Sequence, residues 1–112
     1  MAPVTTLGEF EQLLLLAVLR LDGEAYGASN ARERETTAGR PVSRGALYTS
    51  LDRLEDKGLL RWAAARGTPA RNGLPRRLYS VTPSGVTALR SSRDTLRRMW
   101  KGLDHLLKAP TS

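Results

Sequence analysis

The sequence predicts a mainly α fold with one small β-hairpin: three helices, two short strands and a long closing helix. Three observations carry this expectation. Apolar residues recur at helical spacing from Leu7 to Leu21 and again from Leu47 to Leu54. Two stretches able to form short strands flank a segment that contains Gly67, Pro69, Asn72, Gly73 and Pro75. A Thr82-Pro83 pair then opens a final stretch in which Leu89, Leu96 and Leu103 repeat every seven residues.

The first helix is read from Leu7, Phe10, Leu13, Leu14, Ala17, Val18 and Leu21, an i, i+3, i+4, i+7 stripe. Leu15 and Leu16 lie off that stripe, which predicts burial on more than one side. Asp22-Gly23 stops this helix. A second is expected from about Tyr26-Gly27 to Thr37, before Gly39 and Pro41. Its apolar stripe is poor. The third carries the clearest local signal: Ser43 serves as N-cap, with Val42 and Leu47 placed to form a hydrophobic staple across it. It should run from Arg44 to about Lys57, ending at Gly58. Leu47, Leu51 and Leu54 share one of its faces, and Gly45, Tyr48, Thr49 and Asp52 another, so one face packs and the other is offered outward.

Leu60–Ala65 and Arg77–Val81 are the expected strands, joined by a long, basic, irregular tip. Thr82 caps the last helix with Pro83 at N1, and the helix is expected to continue to about Lys108, roughly 26 residues or near 39 Å. That is too long for so small a globule to cover alone. Its heptad seam of Leu89, Leu96 and Leu103, flanked by Met99, Trp100, Leu106 and Leu107, reads as a coiled-coil-like contact with a second copy. The expected organisation is one compact unit, with residues 7–82 as the body and 83–109 as the closing helix.

Composition narrows the function. The chain has 112 residues, no cysteine and a net charge of +7. One small domain fits this length. The absence of cysteine excludes disulfides, thiolate metal sites and a cysteine nucleophile, and suits a cytoplasmic location. The longest apolar run, Leu13–Leu19, is seven residues and neither spans a bilayer nor reads as a signal peptide. From Lys57 to Arg93 there are eight basic residues and no acidic one, a segment that expects a polyanion. With one histidine, His105, no metal set is expected. Phosphate-binding loops, nucleophile elbows and dinucleotide fingerprints are all absent from the sequence, so neither an enzyme nor a cofactor is expected.

Three helices, a hairpin and a further helix, with the third helix after a short turn, make the winged helix-turn-helix plan. In it the third helix enters the major groove of DNA and the hairpin touches phosphates or the minor groove. Arg44, Tyr48 and Thr49 are the candidates for reading base edges. Ser43, Gly45, Arg53, Lys57, Arg66, Arg71, Arg76 and Arg77 are the candidates for phosphate contact, Gly45 because it lets backbone come close. Tyr26, Tyr79 and Trp62 are expected to pack rather than to bind.

At these residues the chain resembles the PadR family of bacterial transcriptional regulators, in its short branch with a single C-terminal helix. The resemblance runs through Leu7-Gly8-Glu9-Phe10-Glu11-Gln12-Leu13, Ala25-Tyr26-Gly27, and the block from Gly39 to Leu51 that contains Pro41-Val42-Ser43-Arg44-Gly45-Ala46-Leu47-Tyr48. It continues through Leu54-Glu55-Asp56-Lys57-Gly58-Leu59 and the return from Arg76 to Gly85. It implies a homodimeric repressor on a pseudo-palindromic operator in double-stranded DNA, with the last and first helices building the dimer. Phe10 and Leu14 are then the first-helix contacts. It also implies a small aromatic or cationic effector, for which Trp100 is the candidate. One departure stands in the second helix, where Asn30 and Arg34 replace large aliphatic residues and leave Ala28 and Ala31 to pack, so this helix is expected to be loosely held. The alternative reading is a winged-helix protein-interaction module with an acidic protein partner, disfavoured by the polar and basic face at Arg44, Tyr48 and Thr49.

Overall fold

The computed structural model describes residues 7–23, 25–26, 43–65 and 76–108. The helix expected from about Tyr26 to Thr37 lies, beyond Tyr26 itself, outside these residues, and with it Asn30 and Arg34, as do Val42, Arg66 and Arg71. The described elements are α1 (Glu9–Leu21), α2 (Arg44–Asp56), β1 (Leu60–Ala65), β2 (Arg76–Val81), α3 (Pro83–Trp100) and a 3-10 turn at Asp104–Lys108.

Local chemistry sets the boundaries. Glu11 Oε1 accepts from the backbone N–H of Gly8, closing the start of α1. Ser43 Oγ accepts from the N–H of Ala46 at the start of α2. At the other end of α2, Gly58 N–H donates to the Glu55 carbonyl and Leu59 N–H to that of Leu54. This is a Schellman motif, which requires the left-handed conformation that Gly58 adopts at φ +74°. Its usual apolar contact is supplied by Leu54 and Leu59, both in the core. Thr82 caps α3 by accepting from Gly85 N–H, with Pro83 behind it.

The core forms where α1, α2 and the base of the hairpin meet. Leu14, Leu15 and Val18 come from α1, Leu47, Leu51 and Leu54 from α2, and Leu59, Leu60 and Tyr79 from the hairpin base. The strands are antiparallel, registered Leu60 with Val81 and Ala65 with Arg76. Ala25, fully buried, accepts through its carbonyl from Tyr79 N–H and so extends β2 on its free edge.

Where α3 meets this body, the geometry is tight. Thr82 Oγ1 donates to the Gly58 carbonyl at 2.7 Å and Thr82 N–H to the Leu59 carbonyl at 3.1 Å, tying the start of α3 to the end of α2. Gly85 lies at this seam. A Cβ there would overlap the Leu59 carbonyl oxygen and come within 2.6 Å of Val81 Cγ1, so only glycine fits.

Two expectations are corrected. The closing helix ends at Trp100 rather than near Lys108, because Gly102 takes φ +86° and the chain after it forms only a 3-10 turn. Leu103, Leu106 and Leu107 therefore leave the heptad seam. Leu14 is 0% exposed. It belongs to the interior of a single copy and has no surface for a second one, and Phe10 packs half-buried against the same core. The apolar stripe of α1 announced a buried face without saying which edge would face the core. Leu15 goes inward, while Leu16 and Leu19 are left outside.

Candidate nucleic-acid interface

On α2, residues 47, 51 and 54 lie at i, i+4 and i+7 and are buried. Gly45, Thr49 and Asp52 have the same spacing and are exposed. At 100° per residue the two stripes fall on opposite sides of the helix. The outward stripe is therefore turned away from the body of the domain, with Arg44 and half-exposed Tyr48 beside it. Nothing stands within 4 Å of the Gly45 Cβ position. The first turn of α2 thus presents backbone to the surroundings without an intervening side chain, and the helix start directs its remaining N–H groups outward.

This helix is not itself basic. Arg44 and Arg53 are set against Asp52, Glu55 and Asp56, so two cations face three anions. Positive charge comes from the hairpin. Its two adjacent arginines leave the strand on opposite faces, and each lies on an aromatic ring. The Arg76 guanidinium carbon is 3.8 Å from the centre of the Tyr26 ring, and that of Arg77 is 4.3 Å from the centre of the Trp62 ring. Arg77 also reaches Asp52, with Nη1 3.5 Å from Oδ1. Arg61, exposed on β1, donates through Nε to Ser80 Oγ across the hairpin.

Tyr79 packs in the core as expected, whereas Trp62 is exposed, with Arg77 stacked on its ring. The Tyr79 hydroxyl is buried with no hydrogen-bond partner. Burial pushes its phenol above the ordinary value, and the Arg77 guanidinium beside the hydroxyl pulls the other way.

Of the residues proposed from sequence, Ser43, Arg44, Gly45, Tyr48 and Thr49 come together at the exposed start of α2, and Arg76 and Arg77 lie at the far end of the hairpin from its base, paired with Ala65 and Ala64. Arg53 is exposed in the last turn of α2. Lys57 is accounted for differently: its Nζ lies 2.7 Å from Glu11 Oε2, in an ion pair that joins α2 to α1. It sits at the opposite end of α2 from Arg44, about 20 Å along the axis. Asp52, noted on the outward face, was not singled out from sequence, and its spacing from Gly45 and Thr49 was the available signal.

Between α1 and α3 runs a groove of about 420 Å³, lined by Leu16 and Leu19 on one side and Val86, Leu89 and Leu96 on the other. Beyond it the C-terminal half of α3 has no cover: Leu96 is 52% and Met99 71% exposed. Trp100 is 40% exposed. Among the described residues no cluster of His, Cys, Asp or Glu could hold a metal ion. No described helix is long and apolar enough to cross a membrane.

Solved structures share this architecture. A PadR-like transcription factor from Bacteroides fragilis is 26% identical and superposes with a TM-score of 0.69 over 87% of this chain and 88% of that one. A PadR family transcriptional regulator from Eggerthella lenta is 27% identical, with a TM-score of 0.65 over 91% and 88%. Bacillus subtilis PadR, solved in complex with operator DNA, shares the fold at 21% identity and a TM-score of 0.60, over 74% of this chain and 47% of its own. No curated protein matches the sequence significantly. The model of the transcriptional regulator PadR-like family matches residues 15–91. That span takes in the second half of α1, all of α2, the hairpin and the first half of α3, and the chain belongs to the PadR-like family of transcriptional regulators.

Proposed function

We propose that the chain is a homodimeric, cytoplasmic repressor in which α2 of each copy enters the major groove of a pseudo-palindromic operator. Arg44, Tyr48 and Thr49 read base edges in this arrangement. Ser43, Gly45, Arg53 and Arg76 meet phosphates, Arg77 adds positive charge beside them, and Arg66 and Arg71 would add to it. The observation that carries the reading is the open, polar stripe of α2, set opposite its buried stripe and joined at Asp52 by Arg77 of the hairpin. An interface for a protein partner would instead need an apolar centre on this face.

The dimer is supported by the uncovered half of α3 and by Leu16 and Leu19 across the groove. An apolar surface of this kind on a small chain marks an interaction site. Trp100, exposed at the end of α3, meets a flat aromatic or cationic effector between two copies in this reading.

The test is a titration of the protein against DNA from upstream of its own gene and against a scrambled duplex, at two salt concentrations. A preference of about 10³ or more, with two chains per site, is the expected result. Equal, steeply salt-dependent binding to both duplexes would overturn sequence-specific regulation at this site.

A further inference from the structure

Asp52 is an anion on the face that meets a polyanion, which calls for an explanation. Its side chain is 62% exposed, and its partner Arg77 is 49% exposed. An ion pair so open to water contributes little to folding. Asp52 also shares the outward stripe with Gly45 and Thr49, about 12 Å along α2 from Arg44, within reach of the groove when the start of the helix is seated there. In the major groove a carboxylate has one good partner among the bases, the N4 amino group of cytosine. Close to phosphates it is tolerated only with a counter-charge. Arg77 supplies one from the hairpin, held by the Trp62 ring on one side and directed at Asp52 Oδ1 on the other.

Resting on the DNA-binding reading above, we propose that Asp52 is a specificity-determining residue that selects a cytosine in each half-site, and that Arg77 is the positioning residue whose charge allows that carboxylate into the groove. The hairpin then contributes to sequence choice as well as to general attraction. Arg77 acts through Asp52 rather than as one more independent phosphate contact.

The experiment selects operator duplexes from a randomised pool with wild type, then measures affinities for Asp52→Asn, Arg77→Gln and the double variant. Asp52→Asn keeps the side-chain length, and Arg77→Gln keeps the aliphatic stem while removing the guanidinium charge. Wild type should select a cytosine at one position per half-site, and Asp52→Asn should lose that preference while keeping the others. Arg77→Gln should weaken operator binding about tenfold, and adding Asp52→Asn should return it to within about threefold of wild type. An unchanged base preference in Asp52→Asn, or additive losses in the double variant, would overturn the proposal. Failure of wild type to select any consensus would instead overturn the DNA-binding reading on which it rests.

Discussion

Lys57, the last residue of the third sequence-predicted helix, reaches back to α1 and places its Nζ 2.7 Å from Glu11 Oε2. Glu11 uses its other oxygen to accept from Gly8 N–H, so one carboxylate both closes the start of α1 and ties it to α2. Partial burial pushes its pKa up, but Lys57, the Gly8 N–H and the more distant Arg53 outweigh that and hold it below the ordinary 4.5. The unfolded state therefore binds the proton more readily. The stabilisation is complete above pH 4.5 and is lost as the pH falls through the lower folded value. Glu11→Gln should cost on the order of 1 kcal/mol at neutral pH and flatten the acid limb of the stability curve. Urea unfolding at a series of pH values reads both, and an acid limb identical to wild type would refute the assignment.

Gly85→Ala tests the seam between α3 and the Schellman turn. Alanine favours a helix by about 1 kcal/mol over glycine. Here the added methyl meets the Leu59 carbonyl and Val81, neither of which is the free end of a flexible chain. The net effect should be destabilising by about 2 kcal/mol or more, visible as a lower melting temperature. A gain in stability would mean that α3 can shift away from the hairpin without loss.

Tyr79→Phe removes a buried hydroxyl that has no hydrogen-bond partner. The substitution keeps the ring in the core and relieves the desolvation of the oxygen, so stability should be unchanged or rise by about 1 kcal/mol. A loss of 2 kcal/mol or more in chemical denaturation would show that the hydroxyl has a partner in solution.

Leu96→Lys with Met99→Lys places charges on the uncovered half of α3 without touching the core, since both residues are more than half exposed. The wild type should sediment as a dimer and the double variant as a folded monomer. Operator affinity should fall by about 10² when two linked half-sites become independent ones. A variant that remains dimeric would move the contact elsewhere, with the α1 residues Leu16 and Leu19 the next to test.

The sequence by itself determined the pieces whose causes are local. Ser43, Gly58, Thr82 and Pro83 mark helix ends through hydrogen bonds and dihedral limits that span only a few residues, and the structure ends α2 and starts α3 at them. The strands followed from the same kind of signal, with β2 starting one residue early, at Arg76. Gly102 was an equally local signal, and the heptad spacing of Leu89, Leu96 and Leu103 masked it. Tertiary structure alone decided which edge of α1 faces inward, because a stripe of leucines buries equally well against its own domain or against a second copy. It also decided the pairings of charge. Lys57 with Glu11, and Arg77 with Asp52 and Trp62, join residues far apart in the chain. A charge on a helix face reads alike whether it is solvated, paired or held for DNA, and only the packing of α1 and the hairpin against α2 distinguishes these states.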